Sequence, residues 1–359
     1  MAIKSISILI LATIAKNYVL SAPVTDSVHE TIKTHTVQPT DKNYPLTPPV
    51  TQDDGTINYR IAIICDLDSV SKSSVEKNTW ISYLKKGYLR YNSTTLTVTI
   101  DWDKEEDTVL KSNNSVNNRG MELSELVTYD GKLLTVDDKT GIVYIIENQN
   151  SLKEWVVLKE SDENGISSKG FKGEWATVVG EKLYVGSHGT EYFSSEDEVS
   201  NVNMWVKVIN KDGVIEHVDW TNMYKKLREK LHIDSSGYII HEACEWSDKH
   251  QKYFFLPRKL CKEKFDPQSD EGKATNVLLS ATKNFESIEV VEVGDVKPFH
   301  GYASFKFIPE TNDSIIVAIK SKEQSNCTAT YITVFDINGN VLLDETFVSK
   351  YKFEGFDFI

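Results

Sequence analysis

The segment TYDGKLLTVDDKTGIVYIIE (128–147) reads as three short strands joined by two turns. Asp130-Gly131 lies between apolar runs, the strongest short-range hairpin signal, and residues 137–141 make the second turn. The same texture extends both ways, through IAIIC (61–65), TLTVTIDW (95–102), KLYVGS (182–187), KYFFLP (252–257), SIIVAIK (314–320), ATYITVFD (329–336) and NVLLDETFV (340–348). Asp212-Gly213 and Asn338-Gly339 mark further hairpins. About twenty candidate strands follow Tyr59, which indicates a sandwich, a barrel or a propeller. One sandwich takes about one hundred residues, and no linker divides residues 59–359. Strands in sets of four therefore predict one all-β domain, a closed five-bladed β-propeller spanning residues 57–359. Helical periodicity is confined to residues 220–231, where Trp220, Tyr224, Leu227 and Leu231 recur and predict one short surface helix. Its basic run KKLREK (225–230) reads as a solvated face.

The chain has 359 residues, 40% hydrophobic and 26% charged, an ordinary globular composition. At this length folding buries roughly three quarters of the surface of the unfolded chain, so the core needs no staple. With 53 Asp+Glu against 40 Lys+Arg the net charge is −13. That balance argues against a nucleic-acid partner, because little would neutralise a row of phosphates. An acidic protein acting on an anionic substrate needs a bridging cation.

Lys4, an apolar run over residues 6–15, and small side chains before Ser21-Ala22 form a secretory leader, predicted as residues 1–21. Lys16 and Asn17 stop the run short of the roughly 20 residues a membrane span needs. Residues 22–56, rich in Pro, Thr and Asp, predict an extended arm. Cys65, Cys244, Cys261 and Cys327 allow three connectivities in an oxidising compartment; Cys244–Cys261 is favoured, with free thiols as the alternative. Sequons at Asn92, Asn113, Asn312 and Asn326 agree with export as a glycoprotein.

Common catalytic signatures are missing. The chain has no P-loop and no G-x-S-x-G elbow, HEACE (241–245) lacks the second His of a zincin, and no EF-hand loop is complete. Instead, polar islands pairing carboxylates with Gly or Ser interrupt the apolar strands. They are ICDLDSVS (64–71), NRGMELSEL (118–126), LTVDDKTG (134–141), KGFKGEWA (169–176), GYIIHEACEWSD (237–248), YFFLPRK (253–259), HGYASFKFIPET (300–311) and YKFEGFDFI (351–359). His188 and His241 read as structural histidines, since no zinc spacing links them.

This ordered set resembles the calcium-activated nucleotidases, the apyrase family that includes secreted salivary enzymes of blood-feeding arthropods. The resemblance runs from about Tyr59 to Ile359. It implies a five-bladed propeller with a central Ca2+ and hydrolysis of ATP and ADP, as nucleoside tri- and diphosphates, to AMP and phosphate. Carried over motif by motif, it implies Ca2+ ligation at Ser124, Glu174, Glu242, Ala303 and Glu354, with Glu125 a further ligand or acceptor. Ser124 and Ala303 are expected to act through their carbonyls; the family usually has Ser at the latter position. Asp66, Asp68, Asp137 and Asp138 are the candidates for activating water or holding a nucleotide-bound metal. Arg119, Lys172, Arg258 and Lys306 are the cations for phosphate oxygens. Trp175, Trp246 or a nearby Tyr is the candidate to stack the base. The expected protein is a secreted monomer or weak dimer with no membrane anchor, acting against ADP-driven platelet aggregation. Two alternatives are a secretory-pathway diphosphatase preferring UDP or GDP, and a non-catalytic propeller pinned by Ca2+.

Overall fold

Strands at the centre of a closed sheet array are covered on both faces, whereas peripheral strands face water on one side. The sequence sorts the strands accordingly. Every residue of Leu123–Tyr129 and of Phe353–Phe358 is buried, while Ser151–Val157 is largely exposed. The computed structural model describes residues 44–359 except Gln149, residues 194–198, Ser235 and residues 325–326. The leader, most of the arm and the sequon at Asn326 lie outside the described residues.

Five antiparallel sheets make a five-bladed propeller. From the inside outward, the first blade is Leu123–Tyr129, Lys132–Asp137, Ile142–Glu147 and Ser151–Val157. The second is Trp175–Val179, Lys182–Gly186, Trp205–Ile209 and Ile215–Asp219; the third is Tyr238–Ser247, Lys252–Cys261, Val277–Thr282 and Ile288–Glu292. The fourth is His300–Phe307, Ile315–Gln324, Cys327–Asp336 and Val341–Ser349. The fifth blade joins the two ends of the domain. Its inner strand is the C-terminal Phe353–Phe358, paired with Thr56–Cys65 through Ile61 opposite Phe358 and Ile63 opposite Phe356. Trp80–Asn92 follows, flanked by Thr97–Trp102 along one half and Thr108–Ser112 along the other. The described end of the arm is part of this sheet, with Val50 and Thr51 paired to Asn58 and Ile57.

Apolar clusters fill the spaces between blades. Ile61, Ile63, Phe356 and Phe358 pack with Ile319 and Val334 of the fourth blade. Between the second and third blades Trp220 is the hub, its ring centroid 5.1 Å from Tyr253, 5.5 Å from Phe285 and 5.7 Å from Trp175. The helix Thr221–Lys230 seats Tyr224 and Leu227 in the same cluster. Its basic face is not wholly solvated. Arg228 is buried, with Nη1 2.7 Å from Glu191 and Nη2 donating to the carbonyls of Asp234 and Gly237.

Two sequence expectations change. Cys244 pairs with Phe255 in the ladder and Cys261 with Tyr238, so the two lie about six residues, or about 20 Å, apart along neighbouring strands. No disulfide spans that distance, and all four thiols are free. Among the sequons, Asn92 is buried and its amide donates to the Asp54 carbonyl and Thr56 Oγ1. Asn113 and Asn312 are exposed and free of that constraint.

Lys207 is fully buried in the second blade, donating to Ser161 Oγ at 2.5 Å, with its Nζ 4.5 Å from the centre of the Phe171 ring. Burial pulls its ammonium down to about 8, against a weaker opposing effect of Glu160. A group whose folded value is depressed binds fewer protons folded than unfolded, so stability rises with pH between about 8 and the ordinary lysine value. Lys207→Met is expected to stabilise the fold at pH 7 by about 1–2 kcal/mol, after allowing for the lost Ser161 and Phe171 contacts. The gain should shrink as pH rises above 8, and denaturant melts at pH 7 and 10 check it.

Candidate functional site at the mouth of the central channel

The ladders of four of the five inner strands slip. The register shifts between Leu123 and Glu125, between His241 and Cys244, between Tyr302 and Ser304, and opposite Ile64/Cys65, between Phe353 and Gly355. Ser124, Glu242, Ala303 and Glu354 are therefore residues left out of regular pairing, and a bulge re-aims such a residue. In the second blade Glu174 sits just ahead of the inner strand, its amide donating to the Gly186 carbonyl at 2.7 Å. Each of the five blades thus carries one of Ser124, Glu174, Glu242, Ala303 and Glu354 at a slip of its inner strand or just ahead of it.

Charged side chains crowd this ring. Arg258 is buried and reaches Glu242 at 2.6 Å, Glu354 at 3.1 Å, Glu323 at 2.9 Å and Ser321 Oγ at 2.7 Å. Lys352 lies 2.8 Å from Asp66, 2.7 Å from Asp68 and 3.6 Å from Glu354. Lys172 bridges Asp138 and Glu174. His188 Nε2 is 2.8 Å from Glu174 and 3.5 Å from Glu242. Arg119 holds Glu122 and approaches Asp68 at 3.7 Å. Eight carboxylates (Asp66, Asp68, Glu122, Asp138, Glu174, Glu242, Glu323 and Glu354) face four Lys or Arg side chains and His188.

The consequences are electrostatic. Burial would raise Glu242, but Arg258 and His188 overrule it and hold the carboxyl below the usual range. Burial pushes Asp138 up to about 8; Lys172 opposes this, while Glu174 and Asp66 add to it. Asp138 Oδ1 is buried without a hydrogen-bond partner, Lys172 holding only Oδ2. Surplus buried carboxylates, the orphaned Asp138 Oδ1 and two bulged main-chain positions suit a hard divalent cation, which takes six to eight oxygens in flexible geometry. Glu174, Glu242, Glu354 and the main chain at Ser124 and Ala303 would hold it.

The remaining predicted residues divide. Asp66, Asp68, Asp138, Arg119 and Lys172 gather at the mouth, where Arg119 and Lys172 keep side-chain exposures of 40% and 42%. Arg258 is at the ring but 5% exposed, with its donors engaged by carboxylates, so it pins the ring. Asp137 accepts from the amides of Met121, Lys139 and Thr140 and shapes the turn that carries Asp138. Trp175 is fully buried, its indole donating to the Ser187 carbonyl, and Trp246 packs in the same core; neither offers a face to a base.

Glu125 and Lys306 belong to a second layer. Three residues beyond the ring on four of the inner strands stand Thr177, Glu245, Lys306 and Asp357, about 10 Å further along the channel. Lys306 lies 2.9 Å from Glu245 and 3.9 Å from Glu125, Thr177 donates to Glu245, and Asp357 accepts from the Thr128 amide. Glu125 Oε1 accepts from Ser304 Oγ and the Leu126 amide, and burial lifts its carboxyl to about 8 despite Lys306. These residues make the floor of the ring and do not reach the mouth. Sequence reasoning missed Glu122, His188, Glu323 and Lys352. Lys352 carried a signal only in lying within the same YKFEGFDFI motif as Glu354.

The Apyrase family model matches residues 67–359. The chain is 47% identical over 317 residues to soluble calcium-activated nucleotidase 1 of Rattus norvegicus, covering 88% of this chain and 77% of the relative. It is 44% identical to an apyrase of Cimex lectularius, covering 88% and 86% of the two chains. It is 38% identical to an apyrase of Phlebotomus duboscqi, covering 83% and 87%. A family match over most of the chain, with relatives 38–47% identical, places this protein in the Apyrase family.

Proposed function

We propose that the chain is a secreted, Ca2+-dependent apyrase that hydrolyses nucleoside tri- and diphosphates, ATP and ADP among them, to AMP and phosphate. The observation that carries this reading is the ring of bulged inner-strand residues bearing more buried carboxylate than its cations neutralise. Ca2+ held by Glu174, Glu242, Glu354 and the main chain at Ser124 and Ala303 would supply positive charge to the phosphate oxygens. Arg119 and Lys172, the partly exposed cations of the mouth, orient the terminal phosphate. Asp138 directs its unpartnered Oδ1 toward a water and takes its proton, while Lys172 fixes the other carboxylate oxygen. Asp66 and Asp68, tied by Lys352, border the same space. Relatives named apyrase and calcium-activated nucleotidase support the substrate class and the cation. Export rests on the leader over residues 1–21, and a role against ADP-driven platelet aggregation would follow from export and activity together.

Phosphorus NMR of a reaction started from ATP tests the reaction. ADP should appear and then give way to AMP and phosphate; pyrophosphate as a product would contradict attack at the terminal phosphorus. Asp138→Asn should lower turnover about a hundredfold while Ca2+ still raises the melting temperature. If both are lost, Asp138 belongs to the cation shell.

A further inference from the structure

We infer that Glu174, His188 and Glu242 form a site for a borderline divalent cation of the Zn2+ or Co2+ type, overlapping the Ca2+ ring, with His188 as the nitrogen donor that admits it. One atom from each lies within 4.8 Å of the others, with His188 Nε2 2.8 Å from Glu174 Oε1 and 3.5 Å from Glu242 Oε1. Bond lengths near 2.0–2.2 Å place tetrahedral ligand atoms about 3.4 Å apart, so small side-chain shifts bring all three onto one ion. Two carboxylates and one imidazole are a known donor type for such ions, whereas Ca2+ takes oxygen alone.

The histidine is held by its backbone. The Ser187 carbonyl accepts from the Trp175 indole at 3.1 Å, the His188 carbonyl from the His241 amide at 2.9 Å, and the Gly189 amide donates to the Asn203 carbonyl at 3.0 Å. Gly189, at φ +69, has the Tyr224 ring 2.3 Å from where a Cβ would stand, so glycine alone fits beside the histidine. Three consecutive main-chain anchors thus fix a ring nitrogen against the buried Glu174 carboxylate, which Lys172 also holds, and the partly buried Glu242 carboxylate. His188 has no counterpart among the five inner-strand positions that would serve an all-oxygen site. A three-ligand ion seated here draws Glu174 and Glu242 together and so competes with the wider Ca2+ ring.

This inference rests on the axial ring being a cation site, and binding measured without nucleotide separates the two. Calorimetry with Zn2+ and visible absorption with Co2+ on the full chain are compared with His188→Leu and His188→Gln. At least a tenfold loss of Zn2+ affinity and loss of the Co2+ bands are expected, with Ca2+ affinity altered less than about threefold. Excess Ca2+ should displace Co2+ from the unsubstituted protein. Equal Zn2+ affinity in the folded variants, parallel loss of Ca2+ and Zn2+ affinity, or Co2+ that Ca2+ cannot displace would each overturn the inference while leaving the Ca2+ ring intact. If neither Ca2+ nor Zn2+ binds the unsubstituted protein, the ring reading itself fails.

Discussion

A chain ending at Lys352 is expected not to fold. The missing residues, 353–359, supply the inner strand of the fifth blade, so their loss exposes the edge of Thr56–Cys65 and opens the ring of blades. Phe353, Phe356 and Phe358 are each fully buried in the cluster shared with the fourth blade. Emptying one such aromatic site costs about 3–5 kcal/mol, and three together approach or exceed a typical total stability of about 5–15 kcal/mol. The deletion also removes Asp357, which accepts from the Thr128 amide across the closure to the first blade. Phe356→Ala is the graded version, and urea melts should show a loss of about 3–5 kcal/mol with folding retained. Near-native melting of the truncated chain would mean that the blades close without this strand.

Glu242→Gln should have the largest effect on activity of any ring substitution. Its carboxylate is the common partner of Arg258 and His188, and its bulge aims it at the axis. The amide keeps the shape and removes one charge from the cation's ligands, leaving buried Arg258 with Glu354 and Glu323. The rise in melting temperature on adding Ca2+ should vanish, and turnover should fall at least about a hundredfold. Both losses should appear together, read by calorimetry and phosphate release. Full turnover in this variant would place the cation elsewhere.

Much of the architecture was legible because hairpin turns and strand alternation are local signals. Asp130-Gly131, Asp212-Gly213 and Asn338-Gly339 each lie where two strands of a blade meet. The helix at Thr221–Lys230 fell within its periodic stretch. The layering of the channel was not legible, because it depends on bulges. A slipped register sends Glu242 to the ring and Glu245 to the floor, and no residue pattern announces the slip. Lys306 looked like a phosphate ligand for the same reason: its motif gave its blade but not its depth. Trp175 was misjudged because an indole beside a ring carboxylate can turn either way, and packing against Trp220 and Phe255 turns it inward. The disulfide expectation failed because nearness in sequence across a hairpin says nothing of register, and Cys244 and Cys261 sit at different rungs of one ladder.

Phosphate release by the purified protein from ATP, ADP and AMP, each with Ca2+, with Mg2+ and with a chelator, tests the central claim most directly. ATP and ADP should be hydrolysed with Ca2+, AMP should not, and the chelator should abolish release. Undiminished hydrolysis in chelator, or no release with Ca2+ present, would contradict a ring that works by holding that cation.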